Sequence, residues 1–418
     1  MQQYNPLQKK TIFSACIGTI LEWYDFTIYA YLAAIFAKLF FPSSQPTVAL
    51  MLSYGVFAIG YIARPVGAFL FGHIGDTQGR KKSLSLTILL MAITTFGIGL
   101  LPSYASIGIA APLLLLLLRL LQGVAIGGEA FGSVCFIIES IPPKNKGFFS
   151  SLVWSCSGIG MLLASLVVFL SFLLFQGKLL YTVGWRFPFL LAAVGGIIAY
   201  YIRSKTNETH VFRCLQRDSL IEKFPLKAIF ISYKSLVIKL VGLYLLSALI
   251  TYLAFIFMPV YFSDILGHAR VNANAINTIM LLVLICLDIF FGWLSDKLGR
   301  KPLMLTAACG FVILAYPLYY FISHGNSVEL ILAQLLFTLL AAGFQGPLMG
   351  LTIDLIPVTI RYTLGSLGYN LAYSLFGGTA PLIALFLIKK TSNVAAPGLY
   401  LAAGALVAVL ALLTIKKN

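Results

Sequence analysis

Acidic residues are scarce in this sequence. There are 13 Asp and Glu against 29 Lys and Arg in 418 residues, and charged residues of either sign make up only 10 %. A soluble globular domain carries roughly a quarter charged residues, so that class is excluded. The four histidines form no cluster, and the six cysteines (Cys16, Cys135, Cys156, Cys214, Cys286 and Cys309) include no Cys-x-x-Cys pair. Neither a metal centre nor a disulfide framework is expected, and the cysteines read as small apolar packers. Strict apolar–polar alternation appears nowhere, which leaves helices as the only way to span a bilayer. There is no Gly-x-x-x-x-Gly-Lys-Ser/Thr loop, so neither ATP nor any other cofactor is expected. No Ser/His or His-Glu-x-x-His constellation marks an enzyme.

What is present is apolar. Hydrophobic residues make up 60 % of the chain and mean hydropathy is +0.95. A span needs roughly 20 mostly apolar residues. The pattern predicts twelve, over 11–38, 50–71, 83–101, 109–138, 148–175, 187–203, 236–262, 273–294, 302–322, 328–354, 362–388 and 397–415. The fold class is therefore an all-α membrane protein. Residues 204–235 form the only long polar segment and divide the chain into a first bundle, 1–203, and a second, 236–418. The first run lacks a small-residue cleavage site and reads as a retained span.

The net charge of +16 would suit nucleic acid, but its distribution follows topology instead. With both termini inside, six basic residues fall outside (Lys38, Lys178, Arg186, Arg270, Lys389, Lys390) and two within spans (Arg64, Arg119). The rest, Arg203 among them, lie in cytoplasmic turns, the central segment and the termini. This positive-inside bias predicts a multi-pass protein with both ends cytoplasmic and no nucleic-acid partner.

The halves repeat. GHIGDTQGRKK at 72–82 recurs as GWLSDKLGRKP at 292–302, pairing Gly72, Asp76, Gly79 and Arg80 with Gly292, Asp296, Gly299 and Arg300. ESIPPKNKG at 139–147 echoes DLIPVTIRY at 354–362. A duplicated bundle in a carrier places the solute site between its halves near the midplane. The acid–base pairs of the repeated loops suit a gate at the cytoplasmic surface that closes one side and releases as the halves rock. Glu139, Lys144, Lys146, Asp354 and Arg361 are expected to join it as surface groups, each link contributing little alone.

These loops, with EWYDFTIYAYLA, LLQGVAIGGEAFGS, GWRFPFLLA and IPVTIRYTLGSLGYNLAYSLFGGTAPLIA, resemble the major facilitator superfamily. More narrowly they resemble its metabolite:proton symporters, relatives of the proline/betaine, α-ketoglutarate, shikimate and citrate carriers. The resemblance runs from about residue 11 to 388. It implies two pseudo-symmetric six-helix bundles, rocker-switch alternating access, and cotransport of a solute with protons across a bacterial inner membrane. The sequence departs from those relatives at Thr19, where they often carry Asn. It also ends at Asn418 without the long coiled-coil tail of the osmosensing branch, and Met161 follows Gly158 and Gly160 where drug antiporters have a Gly-Pro signature.

Intramembrane charge carries the functional reading. At ~1.5 Å per residue, Glu22 and Asp25 lie ~16 and ~21 Å into a ~30 Å hydrocarbon layer. A charge there costs on the order of 3 kcal/mol, so it is expected to be paired, protonated or open to a watery cavity. Glu22, Asp25 and Tyr29 share one helix face. Arg64, at ~18 Å, is the depth-matched partner for either acid. Its counterpart under the repeat is Leu284, which favours a solute or coupling role over mere pinning of two spans. Glu129, ~15 Å deep among small residues, is expected to exchange a proton as the site opens and closes, although a fixed packing role is the rival. Asp288 is a weaker coupling candidate. Arg119 and Gln122 serve a proton path or an outer vestibule. In the second half, Asn370 and Tyr373 on one face of span 11, and Tyr261 of span 7, are candidate solute contacts, with interfacial anchoring as the alternative.

The sequence thus predicts a monomeric importer of a small organic acid or zwitterion. Glu22, Asp25, Glu129 and Asp288 are its proton candidates. Tyr29, Arg64, Gln122, Tyr261, Asn370 and Tyr373 are its solute candidates. Gly72, Asp76, Gly79, Arg80, Glu139, Asp296, Gly299, Arg300, Asp354 and Arg361 form its gate. A proton-independent uniporter or exporter, and a non-transporting nutrient sensor, are the rivals.

Overall fold

The structure is a computed structural model that describes residues 6–43, 45–141, 145–267, 270–324 and 327–415, so Lys144 lies outside the described residues. Among these, eleven helices are long and apolar enough to cross a membrane. The twelfth span is α1 (Pro6–Tyr31, continued by Ala33–Phe40), whose apolar run is diluted by Glu22 and Asp25. Then come α2 (Pro46–Thr77), α3 (Arg80–Leu100), α4 (Ala110–Ile138), α5 (Lys146–Leu174) and α6 (Phe187–Ser204). The second half has α7 (Lys234–Ile250, continuing as a π-helical stretch Thr251–Ile256), α8 (Arg270–Leu298), α9 (Arg300–His324) and α10 (Ser327–Leu355). It ends with α11 (Arg361–Ala372, a π-helical turn Tyr373–Gly377, then Ala380–Thr391) and α12 (Pro397–Thr414). This is the twelve-helix architecture that the hydropathy predicts.

The repeated stretches are shorter as loops than their sequence suggests. Helix α2 runs through Asp76 to Thr77, and α3 starts at Arg80. The reversal is made at Gly79, whose φ of +115° is open to glycine at little cost; Gly299, at +91°, does the same between α8 and α9.

The chain forms two compact units that differ from a cut at its midpoint. The first holds Met1–Ser140, Cys156–Leu226 and Val358–Ser366; the second holds Ile141–Ser155, Lys227–Pro357 and Leu367–Asn418. Each unit thus takes in the start of one helix from the opposite half of the sequence. Residues 204–235 are not a free connector either, since their first part belongs to the first unit. Thr209 caps the short helix His210–Arg217 by accepting from the Phe212 amide, and Phe212 is buried.

Within the first unit, α2 and α4 approach to backbone contact. A Cβ on Gly123 would lie 2.1 Å from the Gly60 carbonyl oxygen, and one on Gly67 would lie 1.9 Å from that of Val124. Only small residues permit such a crossing, and in lipid close packing replaces the hydrophobic drive between helices. Beyond it, an aromatic cluster joins Tyr29, Phe36, Phe40, Trp185 and Phe189.

The same unit buries a polar knot. Arg203, expected in a cytoplasmic turn, is 0 % exposed, and its Nη1 lies 2.8 Å from Glu129 Oε1. It also donates to the carbonyls of Leu84 and Ser14, tying α6 to α3 and α1. Thr87 and Ser133 donate to the same carboxylate at 2.5 and 3.1 Å. The knot explains why Arg203 points inward: among the described residues it is the cation paired with Glu129, and a paired buried charge is far cheaper than a single one.

Breaking the pair from one side leaves the other charge alone in a dry place. Arg203→Gln should cost about 3–5 kcal/mol, measured as a lower melting temperature in detergent. The double variant Arg203→Gln/Glu129→Gln should recover part of that loss in a double-mutant cycle.

Candidate functional site

Three sets of polar side chains stand out in the first unit. The loop set surrounds Arg80. Its guanidinium meets Asp76 at 3.2 Å and Glu139 at 3.0 Å, and donates to the carbonyls of Gly75 and Val358. Arg361 reaches Glu139 at 3.4 Å and Thr209 donates to it at 3.0 Å. Asp76 in turn accepts from the amides of Tyr362 and Thr363 at 3.2 and 2.9 Å and from the Thr363 hydroxyl at 2.7 Å. A carboxylate on the first free amides of a helix satisfies donors that have no intrahelical partner and meets the positive end of the helix dipole. Asp76 is therefore the cap of α11.

The second unit repeats the arrangement with other residues. Asp296 accepts from the amides of Gly147 and Phe148 at 2.8 and 2.9 Å and so caps α5. Arg300 pairs with Asp296 at 2.9 Å and with Asp354, which also takes Lys146 at 3.0 Å. The sequence repeat is thus a repeated cap. One expectation needs correcting: Glu139 is not a surface group, being 5 % exposed, and Asp76 and Arg80 beside it are buried as well. Their links escape the solvent screening that makes surface pairs weak.

The central segment adds to the first cap. Glu208 accepts from the Lys81 amide at 3.0 Å, and the Phe212 ring lies 5.3 Å from the Arg80 guanidinium. Burial pushes the Glu208 carboxyl above its ordinary range, against the opposing pull of the Thr209 and Lys81 amides. Charge and turn patterns gave no sign of this docking. Phe212 in an otherwise polar stretch was the available signal.

The second set lies on α1 and α2. Glu22 Oε1 is 3.8 Å from Arg64 Nη2, which is an ion pair beyond hydrogen-bonding distance. Glu22 Oε2 has no hydrogen-bond partner. Both residues are buried, so the expected cavity face is closed to solvent in this structure. Tyr29 lies on that face, but its hydroxyl donates to the Ser53 carbonyl at 3.0 Å and its ring stacks on Phe36.

The third set is a chain of hydrogen bonds. Thr95 donates to Asp25 Oδ2 at 2.9 Å, Gln122 donates to Thr95 at 2.7 Å, and Arg119 donates to Gln122 at 2.7 Å. Asp25 Oδ1 has no partner. Sequence reading had Asp25, Gln122 and Arg119 but missed Thr95, one of many hydroxyls that spans tolerate. Glu129 stands apart from all this. Its oxygens are taken by Arg203, Thr87 and Ser133, the saturated setting of the packing role that was the rival to proton exchange.

In the second unit, Tyr373 shares hydrogen bonds with Ser247 at 3.0 Å and Thr251 at 3.3 Å, and Gln345 donates to both hydroxyls. Trp154 presents its ring edge-on to Tyr369 and lies 6.3 Å from Tyr373. Asn370 is buried on the same helix. Tyr261 differs from expectation. It packs against Phe257 and Tyr319 with its hydroxyl on the Val394 carbonyl at 2.8 Å, the setting of a core residue. Asp288 is buried, with Oδ1 unpartnered. Among the described residues, no His/Cys/Asp/Glu group could hold a metal.

Comparison with known proteins places this geometry. Residues 11–222 match the family model "Sugar (and other) transporter", and residues 240–417 match "Major Facilitator Superfamily". The proline/betaine transporter of Escherichia coli K12 is 33 % identical over 421 residues, covering 98 % of this chain and 84 % of that protein. A putative proline/betaine transporter of Staphylococcus aureus strain COL is 33 % identical over 405 residues, covering 94 % and 85 %. Among solved structures, the proton:xylose symporter XylE bound to 6-bromo-6-deoxy-D-glucose superposes with a TM-score of 0.79 at 18 % identity, covering 98 % of this chain and 95 % of that one. A partially occluded inward-open form of XylE from E. coli gives 0.70 at 18 % identity, covering 98 % and 97 %.

Each cap should be separable from the other. Asp76→Ala should speed hydrogen exchange at the Tyr362 and Thr363 amides by about tenfold, matching a cap worth ~1 kcal/mol or more, and leave Gly147 and Phe148 unchanged. Asp296→Ala should do the reverse. Exchange mass spectrometry of the purified protein reads both.

Proposed function

We propose that this chain, which belongs to the major facilitator superfamily, imports a small organic acid or zwitterion together with protons by alternating access. It is a multi-pass membrane carrier and not an enzyme; the direction, the solute and the coupling are our reading. The observation that carries it is the pair of buried acids on α1. Glu22 and Asp25 each keep one oxygen without a hydrogen bond. A carboxylate in a low-dielectric interior that is neither fully hydrogen-bonded nor in close ionic contact is a group suited to binding and releasing protons.

Asp25 is the principal proton carrier in this reading, because the Thr95–Gln122–Arg119 chain connects it to a cation. Glu22 is the second, with Arg64 setting its charge. Glu129, held by Arg203, has a holding role. Asp288 is a further candidate in the second unit. Asn370 and Tyr373 are the solute contacts we assign there, and the neighbouring Trp154 and Tyr369 rings offer the electron-rich faces that attract an ammonium group. The relatives named for proline and betaine, both zwitterions, agree with that chemistry.

The two capped helices supply the conformational device. Rocking from one state to the other would withdraw Asp76 from α11 and Asp296 from α5, so the caps would favour one state until bound solute offsets them. The lysine and arginine distribution supports placing both caps and both termini in the cytoplasm.

The test is transport by reconstituted protein. Proline, glycine betaine, α-ketoglutarate, citrate and shikimate are added in turn to de-energised proteoliposomes while external pH is recorded. One solute should alkalinise the outside, and Asp25→Asn should abolish that signal. Solute entry without a pH change, unaffected by Asp25→Asn, would make the protein a uniporter with structural acids.

A further inference from the structure

Arg119 is buried at 1 % exposure in the middle of α4, yet no acid lies within ion-pair distance of it among the described residues. Its guanidinium is nonetheless fixed. Nη1 donates to Gln122 Oε1 at 2.7 Å, and the cation lies 4.2 Å from the centre of the Tyr29 ring and 5.0 Å from that of Phe26. The other edge is different: Nε and Nη2 make no hydrogen bond within the protein. These two N–H groups point the same way and form the side-on fork that matches the two oxygens of a carboxylate. A buried cation with two unmet donors is costly, and structure normally removes such a cost.

The neighbouring helix meets that edge with a residue that has no side chain, although both nitrogens are closed to solvent in this structure. Gly60 of α2 faces it, and a methyl built on Gly60 would lie 3.9 Å from Nη2 and 4.0 Å from Nε. Glycine there gives up a side chain at the one place where a ligand would meet the fork. Gln122 is in turn held by Thr95, which is bonded to Asp25, so the guanidinium's orientation is tied to the proton-carrying acid through three hydrogen bonds.

We propose that Arg119 is the carboxylate receptor of this carrier, its Nε–Nη2 edge gripping both oxygens of the solute's carboxylate beside Gly60 when α2 and α4 open at that edge. This rests on the symport reading above and reassigns to Arg119 the anion-binding part first expected of Arg64, which already faces Glu22. It also gives solute and proton a shared structure, since the same guanidinium is joined to Asp25 through Gln122 and Thr95.

Two measurements separate this inference from the transport reading. The first is thermal stabilisation of the purified protein by the same five carboxylates, with choline and prolinol as partners of glycine betaine and proline that lack the carboxylate. Glycine betaine or proline should stabilise the wild type and its carboxyl-free counterpart, a cation, should not. The second is the KM for uptake of that solute into proteoliposomes. Arg119→Gln should raise it on the order of 10- to 100-fold, as expected for the loss of charge-assisted hydrogen bonds. Arg119→Lys should fall between. Gly60→Ala adds only ordinary contacts with the protein, so it should raise KM at an unchanged melting temperature.

Carboxylate-specific stabilisation that Arg119→Gln abolishes, in a wild type that moves no protons, would support this inference and defeat symport alone. Equal stabilisation by the carboxyl-free partners, no stabilisation by any carboxylate, or an unchanged KM in both Arg119→Gln and Gly60→Ala, would overturn it while leaving symport standing.

Discussion

A carboxylate inside a membrane-spanning bundle must be given a cation, hydrogen-bond donors or a proton, and the first unit is arranged around how that demand is met at Glu129. Its oxygens take Arg203, Thr87 and Ser133, which draws α6, α3 and α4 to one point. Arg203 also binds the Ser14 carbonyl of α1. Helices in lipid have little hydrophobic reason to associate, so a saturated polar knot beside glycine crossings sets which helices meet and at what depth. The acids of α1 are then placed on a scaffold already fixed. Glu22 and Asp25, in contrast to Glu129, each keep one oxygen without a hydrogen bond.

The second constraint is the helix terminus. The starts of α5 and α11 each carry free amides, and each is met by an aspartate from a helix end in the same compact unit, Asp296 and Asp76. The cap explains the division of the chain. Residues 141–155 and 358–366 leave their own halves because their first amides are satisfied by the opposite one. Such a contact is local and directional, because it depends on the amides of one helix start. Around Asp76 it is reinforced by Arg80, Glu139, Arg361 and the docked central segment.

Much of this was legible in the residues. The spans followed from apolar run length, and the acid–base loops from a repeat at constant offset. Glu22 and Arg64 were matched by depth along neighbouring helices, and they stand 3.8 Å apart. The rest was not legible. Arg203 looked like one more basic residue at the end of a span, because its inward turn depends on an acid 74 positions away. Tyr261 looked like a binding tyrosine and is a packing one, since nothing in the sequence tells where a phenol finds its acceptor. The thread from Asp25 to Arg119 needed Thr95, and a single threonine in an apolar span carries no signal.

The sequence by itself determined what depends on solvation and periodicity: the number of spans, the duplication and the scarcity of intramembrane charge. Those follow from transfer free energies, which act on each segment separately. Only the tertiary structure decided which charge meets which. It saturated Glu129, left one edge of Arg119 unmet beside Gly60, and set Asp76 and Asp296 on the amides of distant helices. Hydrogen bonds and ion pairs are short-ranged and directional, so their partners are fixed by how the helices pack and not by their spacing along the chain.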